Sequence, residues 1–248
     1  MRLAVVSDIH SNMDSFDAVL SDARNMNVDQ IISLGDNIGY GPEPEAVMNT
    51  LDQMDIPSVM GNHEQALTDP EVLASFNPYA QKALKINKSL LSISSIKRII
   101  DFKSSLVKKG CRFVHGLPPD TTSGYISKMP LDRLGKIIER LEERVVFSGH
   151  THESALYISG PDGLEYKKFW KTRVSLAKDS KYIINSGSVG QPRNSHNKAT
   201  YVILDLLEEY VESRVVPYDT SRTVRLMKRL GIPRVYSDLL VGSVLDGI

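Results

Sequence analysis

Short, almost wholly apolar runs alternate with segments of helical periodicity from Leu3 to Met60. Leu3-Ala4-Val5-Val6 and Ile31-Ile32-Ser33-Leu34 have the composition of strands covered on both faces. Between them Phe16, Val19, Leu20 and Ala23 recur at helical spacing, in a segment from about Met13 to Met26. Tyr40-Gly41-Pro42 marks a turn, and Pro44 suits the first turn of a helix reaching about Met54. Ser58-Val59-Met60 reads as a third short strand. Strand, helix, strand, helix, strand is the order of a wound α/β sheet.

The stretch from about Asn77 to Lys109 is helical, with Ala80, Ala83, Leu84, Asn87 and Leu91 on one face. A break within Ser92 to Ser95 divides it, and the second helix carries Ile96, Ile99, Ile100 and Leu106. Arg112 to Val114 and Val145 to Phe147 are strands, and Leu131 to Leu141 is a helix. From Ala155 the texture changes to alternating strands and turns, which suggests a second, more antiparallel sheet. Thr220 to Leu240 is helical with a break at Gly231-Ile232-Pro233. No repeat, low-complexity segment or linker divides residues 1–248, so one domain is expected, with the 77–109 helices beside the site.

Composition excludes several classes. The 248 residues carry no apolar run of the ~18 residues that a membrane-spanning helix needs. The N-terminus enters a strand after one basic residue and lacks the features of a signal peptide. Cys111 is the only cysteine, so no intramolecular disulfide can form, and a cytoplasmic protein is expected. Zero formal net charge argues against a dedicated nucleic-acid or anionic-membrane binder. The balance is uneven, however. Between Val72 and Pro119 the only acid is Asp101, against nine basic residues that include Lys82, Lys85 and Lys88. Two readings stand: a solvated helical face, or a positive wall that draws an anionic substrate.

Five of the six histidines fall in an ordered set of motifs, nearly all placed after strands. These are Asp8-Ile9-His10, Gly35-Asp36-Asn37, Gly61-Asn62-His63-Glu64, Val114-His115-Gly116 and Gly149-His150-Thr151-His152. Side chains two apart on extended backbone point the same way, about 6.5 Å apart, so Asp8 and His10 can reach one cation. His150 and His152 can likewise reach one or two. Sites in open α/β sheets form beyond the carboxyl ends of the strands, where Asp8, Asp36, Asn62, His115 and His150 all fall. Imidazole mixed with carboxylate suits Mn, Fe, Zn or Ni better than Mg or Ca.

This ordered set resembles the calcineurin-like metallophosphoesterase superfamily. Ser7-Asp8-Ile9-His10-Ser11-Asn12, Leu34-Gly35-Asp36 with Tyr40-Gly41-Pro42, and Asn185 to Arg193 resemble its small prokaryotic phosphodiesterase branch. The resemblance implies a sandwich of two β-sheets flanked by helices. It implies one cation held by Asp8, His10, Asp36 and His152, and a second held by Asp36, Asn62, His115 and His150. His63 becomes the acid that protonates the leaving oxygen. A metal pair ~3.5–4 Å apart lowers the pKa of the water between them and clamps phosphoryl oxygens for in-line attack. The substrate is expected to be a small phosphorylated molecule, with diesters favoured. Alternatives are a monoesterase or nucleotide pyrophosphatase with the same metals, or a non-catalytic scaffold on the same fold.

Several residues keep two readings. Much of the superfamily has Asp after the Asn-His pair, and Glu64 stands there in this chain; it either accepts the His63 N–H or points to solvent. Arg193 either forks onto phosphate oxygens or pairs with a surface acid. Asn12 either contacts phosphate or caps the helix starting near Met13, and capping is favoured. Cys111, opening a strand, is expected to be a buried and inert thiol. His196 fits no motif and is expected on an exposed loop.

Overall fold

Leu3 and Val5 face one side of the first strand and Ala4 and Val6 the other, and all four are fully buried. That double burial organises the whole molecule. The computed structural model describes residues 1–193 and 197–242; His196 lies outside the described residues. In chain order the elements begin with β1 (Arg2–Val6), α1 (Met13–Asn25), β2 (Gln30–Ser33), α2 (Pro44–Gln53), α3 (Asn62–Gln65) and α4 (Pro70–Ser75). Next come α5 (Pro78–Leu90), α6 (Ile93–Ile100), β3 (Ser105–Lys108), β4 (Cys111–Val114) and α7 (Leu131–Arg140). Then follow β5 (Val145–Ser148), β6 (Ser154–Gly160), β7 (Gly163–Lys168), β8 (Arg173–Ser175) and β9 (Lys181–Ser186). The last elements among the described residues are β10 (Ala199–Asp205), β11 (Tyr210–Val216), α8 (Ser221–Leu230) and α9 (Arg234–Leu240).

The fold is α/β, with two mixed sheets flanked by helices. One sheet has the order β2-β1-β10-β11-β8, and the other β3-β4-β5-β9-β6-β7. β1 runs parallel to β2, pairing Leu3 with Gln30, and antiparallel to β10, pairing Arg2 with Asp205. Leu3, Val5, Val202 and Leu204 of the first sheet meet Phe113, Phe147, Leu156 and Ile184 of the second in a shared core. Phe113 and Phe147 stack with ring centroids 5.3 Å apart. Each such buried side chain contributes roughly 1.5–3 kcal/mol. The outer face of the first sheet, from Ala4 to Ile203, is covered by Phe16 and Val19 of α1 and Met48 of α2. That of the second, including Val114, Val146 and Ile183, is covered by Leu134 and Ile138 of α7. α5, α8 and α9 share a separate cluster through Ala83, Met227 and Tyr236.

Several expectations need correction. Leu106 belongs to the edge strand β3, not to a helix, because the chain pairs antiparallel with β4 from Ser105↔Val114 to Lys108↔Cys111. The Ser58–Met60 stretch makes only isolated bridges, to Ser33 and Lys103. The strands after Ala155 do not form a sheet of their own. β6, β7 and β9 join the sheet of β5, while β8, β10 and β11 join that of β1. Cys111 is buried, and burial pushes its thiol up to about 11, as an inert thiol requires. No helix among the described residues is long and apolar enough to cross a membrane.

Candidate metal centre

The motif residues sit on loops that turn away sharply from the strand ends. Asp8, His10, Asp36, His150 and His152 all adopt left-handed backbone, with φ of 53°, 48°, 52°, 67° and 61°. A non-glycine residue in that region costs about 1–2 kcal/mol, so the surroundings must impose it. Here they do so by lacing the loops together. Asp8 N–H donates to Gly35 O (3.1 Å), His10 N–H to Asp36 O (2.9 Å), and Gly190 N–H to Asp8 O (2.9 Å). Gly149 N–H donates to His115 O (2.8 Å), and His150 N–H to Asp8 Oδ2 (3.1 Å).

Three imidazoles are oriented by carbonyl oxygens, which can only accept. Nδ1 of His10 lies 3.0 Å from Ile38 O, that of His115 2.8 Å from Leu34 O, and that of His152 2.6 Å from Gln191 O. Each Nδ1 therefore carries the proton, and in the neutral ring each Nε2 lone pair faces inward. The inward atoms converge. His152 Nε2 is 3.2 Å from Asp8 Oδ1 and 3.2 Å from His10 Nε2, and His115 Nε2 is 3.1 Å from Asn62 Oδ1 and 3.3 Å from Asp36 Oδ2. Asp36 Oδ2 is also 3.8 Å from His10 Nε2 and 4.0 Å from His63 Nε2. Asp8, His10 and His152 form one compact donor group, and Asp36, His115 and His150 another. The structure thus brings together all seven residues that the sequence reading assigned to metal.

Electrostatics follow from burial and proximity. Burial would raise both carboxyls, but His152 facing Asp8 and His115 facing Asp36 hold them below the usual range. Burial pulls His115 down, and Asp36 more than reverses this, raising the ring to about 9. Burial, aided by His115, lowers His150 to about 4. Burial likewise takes His63 down to about 3 against the pull of Asp36.

Glu64 follows neither expectation. It is buried, yet its carboxylate turns from His63 toward the backbone. Oε2 accepts the N–H of Asp36 (2.8 Å) and Gly61 (3.0 Å), while Oε1 accepts the N–H of Asn37 (2.7 Å) and its amide (3.2 Å). Burial and the neighbouring Asp36 raise its pKa to about 7. One side chain thereby fastens the Asp36 loop to the Asn62-His63 loop. Gly61 permits this close approach, since a Cβ there would strike Asp36 Oδ1 and Glu64 Oε2. His63 is placed by ring packing against His10, Tyr40 and Phe76, with centroids 4.9, 4.5 and 4.8 Å away. Its Nδ1 lies against Gly39, at φ 97°, where any Cβ would collide with the ring.

Asn12 is committed elsewhere. Its Oδ1 caps α1 by accepting Ser15 N–H (3.2 Å) and also accepts the Thr223 hydroxyl (3.1 Å). Its amide donates to Gly190 O (2.8 Å) and Tyr218 Oη (3.3 Å). The capping reading holds, and phosphate binding by Asn12 is corrected because both amide hydrogens are already engaged. Arg193 is exposed, and its charge is felt by Tyr40, His150, His152 and Tyr236, which places it beside the cluster. Sequence reading missed Tyr125, which stacks on His150 (4.4 Å), and Phe76; neither lies in a motif.

A family model described as the calcineurin-like phosphoesterase superfamily domain matches residues 1–209. The chain belongs to that superfamily. Calcineurin-like phosphoesterases are hydrolases acting on phosphoester bonds. An uncharacterised protein of Methanocaldococcus jannaschii is 30% identical over 237 residues, 93% of each chain. The crystal structure of a metallophosphoesterase from Sphaerobacter thermophilus is similar with a TM-score of 0.83 and 27% identity, covering 98% of this chain and 100% of its own. A hypothetical protein from Pyrococcus horikoshii OT3 shares the fold at a TM-score of 0.78 and 17% identity, over 96% and 97% of the two chains.

Calcineurin-like phosphoesterases typically use divalent metals, and the donors of this chain fit them. Asp8 Oδ1 is buried without a hydrogen-bond partner. The close approach of two inward lone pairs, on His10 and His152, is repulsive unless a positive charge lies between them. Carboxylate, amide and imidazole supply the mixed O and N donors that first-row transition metals accept.

Proposed function

We propose that the protein is a two-metal phosphodiesterase. The observation that carries this reading is the convergence of six buried donor residues and the half-buried Asn62, with Asp36 at their centre: its Oδ2 faces both donor groups while Oδ1 accepts the His63 N–H (2.9 Å). Asp8, His10, Asp36 and His152 would hold one cation, and Asp36, Asn62, His115 and His150 the other, with Asp36 shared. Mn, Fe, Ni or Zn would serve. Two such cations, when bound, supply an activated water and a positive clamp for phosphoryl oxygens.

The residues of the chain divide the remaining work. The carbonyls of Ile38, Leu34 and Gln191 keep three rings in one tautomer, so no reorganisation is needed on binding. Glu64 keeps Asp36 and the Asn62-His63 loop in register. A phosphate anion bound beside His63 favours the charged ring and offsets the burial that otherwise keeps it neutral. The protonated ring then donates to the leaving oxygen, a contribution of ~10²–10⁴-fold. Arg193, at the rim, forks onto a non-bridging phosphate oxygen. The substrate is a small phosphorylated molecule; the protein acts in the cytoplasm and needs neither nucleic acid nor membrane.

The test is metal analysis joined to turnover. Purified protein reconstituted with Mn, Fe, Ni or Zn should hold two ions per chain and hydrolyse bis(p-nitrophenyl) phosphate faster than p-nitrophenyl phosphate. Failure to turn over the diester with any of the four metals would overturn the proposal.

A further inference from the structure

A cleft of about 910 Å³ opens above the cluster, with Asn62, His63 and His150 in its floor. Cavities of about 300–1,000 Å³ take whole organic molecules, so a phosphate group on the floor leaves most of this one for its ester substituent. One wall carries Phe76, packed against His63 at 4.8 Å; the other carries Tyr125, stacked on His150 at 4.4 Å. The Thr121 hydroxyl and the Asn77 side-chain oxygen are engaged within the chain, while Gln65, Ser104 and Ser123 add neutral polar groups to the lining.

Charge decides what the substituent can be. Asp120 is the one Asp, Glu, Lys or Arg side chain lining the cleft among the described residues. The lysines that could have formed a positive wall lie elsewhere. Lys82 and Lys85 line a shallow groove along α5, and Lys88 donates to Leu67 O (3.0 Å). Lys128 rests 4.6 Å from the Tyr125 ring and does not line the cleft. With Arg193 at the rim taken by the first phosphate, a second would meet the Asp120 carboxylate and no Lys or Arg among the lining residues.

We infer that Phe76 and Tyr125 are specificity-determining residues, and that the cleft takes an uncharged, hydroxyl-bearing substituent with a planar ring, such as a nucleoside. This assignment rests on the phosphodiesterase reading and narrows it to esters carrying a single phosphate. Aromatic contact with a base is worth about tenfold or more in affinity.

With hydrolysis measured separately on the parent, calorimetric titration of the metal-loaded His63→Ala protein, in which turnover is suppressed, tests this with three ligands. These are adenosine 5′-methyl phosphate, glycerol methyl phosphate (hydroxyls but no ring) and the β-methyl ester of adenosine diphosphate (ring and extra charge). The first should bind at least tenfold more tightly than either other. Phe76→Ala and Tyr125→Ala should each erase most of its advantage over the glycerol ester, while Tyr79→Ala, exposed and outside the cleft, should keep it. Equal binding of the glycerol ester, tighter binding of the diphosphate ester, or an advantage that survives both wall variants would overturn the assignment. Ring-selective binding without hydrolysis would defeat the phosphodiesterase reading and leave the cleft's selectivity standing. Hydrolysis without ring selectivity would do the reverse.

Discussion

Left-handed residues occur in two settings in this protein, and the contrast separates chemistry from mere turning. At the cluster, Asp8, His10, Asp36, His150 and His152 are buried and laced to one another by backbone hydrogen bonds. Elsewhere, Asn27, Asp55, Lys109 and Lys171 adopt the same conformation at exposed turns. The turns need only the backbone shape, which glycine or asparagine provides more cheaply. At the cluster the side chain is indispensable, and the fold tolerates the strain to aim it. Replacing residues in the two settings should therefore have opposite outcomes.

The largest effect is expected at Asp36. Asp36→Asn keeps the size and the left-handed tolerance but removes the charge that faces both donor groups. Bound metal, measured by mass spectrometry, should fall below one ion per chain, and diester hydrolysis should be lost. Full activity in this variant would remove the shared-carboxylate assignment.

His63→Ala comes next. It takes away no assigned metal donor, so metal content should stay near that of the parent while kcat falls by ~10²–10⁴-fold. A loss of metal in step with activity would move His63 from proton donor to ligand.

Glu64→Gln is smaller but sharper. The amide nitrogen of glutamine cannot accept, so one of the two backbone pairs, either Asp36 and Gly61 or Asn37 and Ile38, loses its acceptor. Each buried N–H left unpaired costs about 1–3 kcal/mol, and chemical denaturation should show a loss of about 2–4 kcal/mol. Unchanged stability would mean that the loops are held by other contacts.

These residues were not equally legible in the sequence. The metal-binding candidates stand in short strings after strands, and geometry at a strand end is local, so spacing alone predicted their convergence. The partners of Glu64 are N–H groups on another loop, 27 and 28 positions away, and no side-chain pattern announces a backbone donor. Leu106 misled for a related reason: its spacing from Ile99 looked helical, and only pairing with β4 made it a strand. Phe76 and Tyr125 carry no motif, because a cleft wall is assembled from segments that the sequence keeps far apart.

The smallest effect, and the one that completes the contrast, is expected at Lys109. With Gly110 it forms the two-residue turn between β3 and β4, at φ 53° and 73°, closed by the Lys108↔Cys111 pair. Such turns require positive φ at both positions and favour Asn-Gly. Lysine has no special tolerance for this region, whereas asparagine visits it readily. Lys109 is exposed and the space around Gly110 is open, so no packing is lost in Lys109→Asn. Stability should rise by roughly 0.5–1 kcal/mol, an increase in Tm of about 1–4 °C, with activity unchanged. A lower Tm would show that the lysine makes a contact its turn does not reveal, and the division between the two settings would then fail at its simplest point.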